Sequence, residues 1–236
     1  LISQELKQTI FNRRMLICVF TGFASGLPLY ILFQLVPAWL RTEGVGLKEI
    51  GFFSLIQLPY AWKFVWAPLL DRYTPLSIGR RRSWMLITQL ALLVLVACLG
   101  FFSPLSQLST IAMLSVAVAF FSATQDVTLD AYRRELLPDV ELGLGNSIHV
   151  QAYRISGLIP GALSLILADY LPWQSVFIIT AGFMLVGVAM TLVIKEAMVK
   201  PLVPKGLREA IITPFKDFFQ RNSWQGGLLV LAFFFL

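Results

Sequence analysis

Charge is the first thing this chain is short of. Charged residues fill 14% of its 236 positions against 57% for hydrophobic ones, whereas a soluble domain carries about 25% charge. With a mean hydropathy of +0.76, that excludes an ordinary soluble domain and reads as a membrane protein. Histidine and cysteine are nearly absent: His149, Cys18 and Cys98 are all there is. Both cysteines lie in apolar runs, without the paired spacing of a zinc site or a disulfide framework, and read as small core residues. One histidine with neither an orienting carboxylate nor a second ligand makes no metal centre and no triad, so His149 reads as a polar residue near a loop. No catalytic residue, metal ligand or cofactor is expected. Bases outnumber acids, 19 to 13, but they cluster between apolar runs instead of covering one surface, which argues against nucleic acid as a partner.

What the chain does have is long uncharged runs. Residues 15–40 carry no charge, 50–70 carry only Lys63, and 83–125 carry none but are interrupted by SPLSQLS at 103–109. These predict three membrane helices and the start of a fourth, which continues through Asp126 and Asp130 to about Arg134. A fifth is predicted over about 142–168, with Arg154 its only charge, and a sixth over 170–194. The run over 224–236 is too short to cross a bilayer and reads as the beginning of a seventh. The chain starts without methionine and stops inside that run, so it is expected to be part of something longer. The predicted fold is all-α: a six-span bundle over 1–198, an amphipathic linker at the membrane surface over 199–223, and a truncated second bundle from 224.

Orientation follows from the loops. Lys7, Arg13, Arg14, Arg72, Arg80, Arg81, Arg82, Arg133, Arg134 and the basic stretch from Lys195 to Arg221 would all lie on one side, and only Arg41 and Lys48 on the other. That bias places the N-terminus in the cytoplasm. Proline interrupts several spans, at Pro28, Pro37, Pro59, Pro68 and Pro160, each removing a backbone donor and permitting a bend. Gly22 and Gly26, four apart in the first span, let another backbone approach closely.

The charges inside the spans carry the chemistry. Asp126 and Asp130 fall one turn apart on one helix face. An ionised carboxylate deep in a bilayer costs about 2.5 to 3.5 kcal/mol on insertion scales, so it must face water, a cation or a cargo. Lys63 precedes Asp71 by eight residues, Asp126 precedes Arg133 by seven, and Arg154 follows Asn146 by eight. At about 1.5 Å per residue all three sit roughly 10 to 12 Å from one membrane boundary. Two readings are open: an internally neutral layer that holds the bundle together, or the wall of a wet cavity with Gln125, Gln151, Tyr60, Tyr153 and Gln34 as hydrogen-bonding neighbours. The cavity reading makes Asp126 and Asp130 the proton-coupling groups and Lys63 and Arg154 their counter-charges. Between the second and third spans, Asp71, Arg72, Arg80 and Arg81, with Arg133 and Arg134 ending the fourth, are either a positive-inside anchor or a latch that breaks when the bundle tilts.

Asp-Arg followed by Gly-Arg-Arg-Arg in that loop resembles the signature of the major facilitator superfamily, with a longer spacer. GFASGLPL at 22–29, IGFFSL at 50–55, KFVWAPLLDRYTP at 63–75, GRRRSW at 79–84 and ATQDVTLDAYRRELLP at 123–138 are together similar to the AmpG family of muropeptide permeases. The acetyl-coenzyme A transporters share the general layout. The resemblance implies two six-helix bundles rocking about a midplane site in the bacterial inner membrane. It implies import of N-acetylglucosaminyl-1,6-anhydro-N-acetylmuramyl peptides for peptidoglycan recycling, driven by the proton gradient, with consequences for beta-lactam resistance. The partners would be glycopeptide, protons, the lipid bilayer and the second bundle. A rival class is a membrane-embedded, metal-dependent lipid phosphotransferase, but two carboxylates beside two bases make a poor metal cage.

Overall fold

The computed structural model describes residues 12–196, 216, 218–221 and 226–229. The expected linker over 199–223 and seventh span from 224 lie almost wholly outside these residues. Every regular element among the described residues is helical. Among the described residues, five helices are long and apolar enough to cross a membrane: α1 (Arg13–Thr42), α3 (Arg80–Leu99), α4 (Leu108–Leu136), α5 (Asp139–Ala168) and α6 (Trp173–Val193). The segment 47–72, here α2, runs between α1 and α3.

Where one continuous second helix was expected, α2 is a chain of short turns. α-Helical pieces Leu47–Phe52, Leu58–Trp62 and Ala67–Arg72 alternate with 3-10 turns Phe53–Gln57 and Lys63–Val65. Proline sets the breaks. Pro59 and Pro68 each fall at the first positions of a new α piece, where a missing N–H has no helical acceptor to disappoint.

α1 begins at a side-chain cap, Asn12 accepting from the Met15 amide at 2.8 Å. It then widens into a π-turn over Ile31–Leu35, three residues beyond Pro28. α5 carries its own π-turn, Ile159–Leu163, built around Pro160, and the two widened turns lie against each other. α1 and α5 pack more closely than any other pair in the bundle, because glycine lines the seam from both sides. A Cβ on Gly22 would run into the His149 carbonyl, and one on Gly26 into Ser156 Oγ and the Tyr153 carbonyl. From the other side, Gly157 faces the Tyr30 ring and Gly161 the Gln34 amide. The backbone anticipated opposite Gly22 and Gly26 is therefore α5. His149 is corrected by the same contact: it lies inside α5, buried, with Nδ1 3.2 Å from Thr21 Oγ1, and not beside a loop.

The largest apolar cluster joins Leu27, Ile31, Leu35 and Trp39 of α1 to α3, α4 and α6. Trp39 meets Phe177 edge-on at 4.8 Å. Outside, the bundle is as apolar as within: Met113 and Val193 are each 74% exposed. A surface of that kind needs lipid, not water, as its solvent.

Candidate functional site

Two polar constellations break the apolar bundle. One lies within the layer, where α1, α2 and α4 meet. Asp126 projects from α4 and accepts a hydrogen bond from Ser25 Oγ of α1 at 2.5 Å. Its other oxygen lies 3.9 Å from Lys63 Nζ, which the 3-10 turn Lys63–Val65 of α2 presents. The hydroxyl contact is short and the ammonium contact long. The carboxylate is thus fixed to α1 and only loosely held by a lysine whose side chain is 36% exposed, an arrangement that lets the cation leave without dislodging the acid.

Tyr60 lies close to Asp126 and buries its hydroxyl near Ser122, whereas Gln34, farther along α1, lies against Gly161 of α5 and buries its Oε1 without a hydrogen-bond partner. Buried polar atoms of that kind are rare and call for a ligand or water. Tyr153 packs on Tyr30 with ring centroids 5.7 Å apart. One turn along α4, Asp130 is exposed and pairs with Arg133 at 2.9 Å. Arg154 and Gln151 are exposed on α5, and among the described residues no carboxylate comes within 4.0 Å of Arg154. The structure therefore brings together Asp126 and Lys63 and leaves Arg154 apart. Gln125 is wholly buried, donating from Nε2 to the Ala24 carbonyl at 2.8 Å. That carbonyl is the one Pro28, four residues on, cannot serve, so Gln125 closes the gap that proline opens in α1. Ser25 was not anticipated. A serine in a membrane helix costs little, and only its place within GFASGLP next to a glycine seam marks it.

The second constellation ties the basic end of the bundle. Arg81, on the first turn of α3 and 6% exposed, reaches Asp71 of α2 at 2.6 Å and Glu135 of α4 at 2.7 Å. Arg80 adds a contact to Glu135 at 3.2 Å and donates to the Asp71 carbonyl. Glu196, just past α6, accepts from the amides of Arg81 and Arg82 at 2.8 and 3.1 Å and so caps α3. Gly79 permits this approach: its φ of 113° lies in the left-handed region, and a Cβ there would meet the Glu196 carboxylate. Arg82 donates to the Thr191 and Leu192 carbonyls at the end of α6. Of the six residues anticipated here, Asp71, Arg80 and Arg81 belong to the network. Arg72 lies over the Tyr73 ring, Arg133 pairs with Asp130, and Arg134 with Asp139. Glu135 and Glu196 were missed because acids next to basic residues at the end of a span look like ordinary loop charges.

Apolar helices of membrane-crossing length, carrying a charged pair in their midst and an ion network at one end, define a multi-pass membrane protein. The chain belongs to the Major Facilitator Superfamily, whose family model matches residues 18–236. An uncharacterized protein of Haemophilus influenzae is 52% identical over the whole of this chain and 56% of its own length. The anhydromuropeptide permease of Escherichia coli K12 is 44% identical over 98% of this chain and 47% of its own length. A Rickettsia conorii protein named as an AmpG transporter is 33% identical over 77% of this chain and 45% of its own. The chain spans about half the length of the curated relatives it matches.

Proposed function

We propose that the protein carries anhydromuropeptides, the N-acetylglucosaminyl-1,6-anhydro-N-acetylmuramyl peptides, from periplasm to cytoplasm across a bacterial inner membrane, by alternating access coupled to protons. The name of the Escherichia coli relative supports the cargo. The observation that carries the mechanism is the Ser25, Asp126 and Lys63 contact: an acid anchored on one side and loosely countered on the other. A cargo carboxylate from the stem peptide draws Lys63 toward itself. Asp126, deprived of its counter-charge in a poorly solvated site, then takes a proton. A proton moving with the membrane potential supplies about 2.3 kcal/mol per 100 mV, which biases the inward step. The basic end faces the cytoplasm, and the Asp71, Arg81 and Glu135 network closes it until the step breaks those pairs. Asp126 and Asp130 each have a basic partner, an arrangement that favours a carrier over a metal-dependent phosphotransferase.

Uptake of labelled anhydromuropeptide into membrane vesicles, with and without an uncoupler, tests this in the full-length protein. Uptake against a gradient should vanish with uncoupler and in Asp126→Asn, while downhill exchange persists in the variant. Concentrative uptake by Asp126→Asn would refute the assignment.

A further inference from the structure

Two cavities lie side by side at the basic end, where α1 enters the bundle and α6 leaves it. A groove of about 420 Å³ runs between these helices along Leu16, Ile17, Phe20, Ala189, Met190 and Val193. A second cavity of about 400 Å³ is lined by Arg13, Arg14, Tyr132, Glu135, Lys195 and Glu196. Arg13 and Ile17 border both, so the apolar groove and the polar pocket lie side by side. The groove follows α1 from Arg13 to Phe20, about 10 Å of helix axis or roughly a third of a hydrocarbon core. Its rims are open to the outside: Leu16 is 56% exposed and Val193 74%.

The pocket's charges are not balanced among themselves. Its two acids are already engaged, Glu135 by Arg80 and Arg81 and Glu196 by the Arg81 and Arg82 amides. Arg14 pairs with Glu141, and the Tyr132 hydroxyl donates to the Lys195 carbonyl. Arg13 and Lys195 are both exposed and form no ion pair with any described residue. Two cations with no ion-pair partner among the described residues thus stand beside an apolar groove whose rims are exposed.

We infer that this double cavity is a site for an anionic phospholipid, with an acyl chain in the groove between α1 and α6 and the headgroup phosphate held by Arg13 and Lys195. Guanidinium and ammonium are the usual partners of phosphate oxygens, and each base near an anionic leaflet adds to the attraction. The lipid would lie beside the Glu135 and Glu196 network without replacing any of its contacts. The inference stands apart from the carrier reading, because its readout is lipid retention and not transport.

Native mass spectrometry of the full-length protein in detergent tests it, with phosphatidylglycerol and phosphatidylcholine of matched chains as probes. Phosphatidylglycerol should be retained preferentially, and Arg13→Gln with Lys195→Gln should cut that preference by about thirtyfold, the combined weight of two bases at an anionic surface. Ala189→Trp, which fills the groove, should reduce retention of both lipids. Arg41→Gln with Lys48→Gln, at the opposite end, should leave the preference intact and controls for net charge. Equal retention of the two lipids, or an unaltered preference in the Arg13 and Lys195 variant with its gel-filtration profile intact, would overturn the site. So would displacement of the lipid by free glycerol phosphate, which would mark a pocket for soluble phosphate instead.

Discussion

The hydrogen bond from Gln125 to the Ala24 carbonyl can be isolated experimentally, because its cause can be removed separately. Gln125→Leu leaves that carbonyl buried, 2.8 Å from nothing polar where Nε2 stood, and an orphaned buried acceptor costs about 1 to 3 kcal/mol. Hydrogen bonds between membrane helices average only about 0.6 kcal/mol, with a maximum near 1.7, because the reference state finds other partners. Here the alternative partner is missing by covalent structure: residue 28 is proline. The loss should therefore fall at the upper end, about 1.5 kcal/mol. Pro28→Ala supplies the absent N–H four residues on, so in that background Gln125→Leu should cost less than half as much. A double-mutant cycle read by reversible denaturation in mixed micelles should give a coupling of about 1 kcal/mol. Additivity within about 0.5 kcal/mol, the range for independent sites, would refute the compensation.

Three further variants probe the packing and the ion network. Glu135→Gln strips Arg81, 6% exposed, of one of its two carboxylates, and breaking a buried pair in this way should destabilise the bundle by about 3 kcal/mol in the same assay; a change under about 1 kcal/mol would show the network to be a surface feature. Gly26→Ala places a methyl group against Ser156 Oγ and the Tyr153 carbonyl, which should cost about 1 to 3 kcal/mol, whereas Gly182→Ala, with open space around its Cβ position, should be neutral.

Much of this architecture can be read from residues alone, for a reason particular to membranes. Lipid makes every charge conspicuous, so Lys63 and Asp126 stand out in the sequence, and the structure places them 3.9 Å apart. Helical rise gives the height of a residue, and so puts Arg154 level with them, but says nothing of the direction in which it points. That depends on how α5 is rotated by its glycine contacts with α1. Proline positions announced the bends, yet not which bend is repaired: Gln125 reads as a cavity residue until the carbonyl it serves is seen. At the membrane edge the advantage disappears. Glu135 and Glu196 sit where charge is ordinary, and only their distances to Arg80, Arg81 and the α3 amides distinguish them.

Where α1 meets α5, Gly22 and Gly26 bring main chain against the His149 and Tyr153 carbonyls, and few side chains remain between the helices to take up slip. Packing this close couples the pair, so a displacement of either helix is expected to carry the other with it. Compliance must then come from its flanks, above all from the proline-jointed segment 47–72 that carries Lys63.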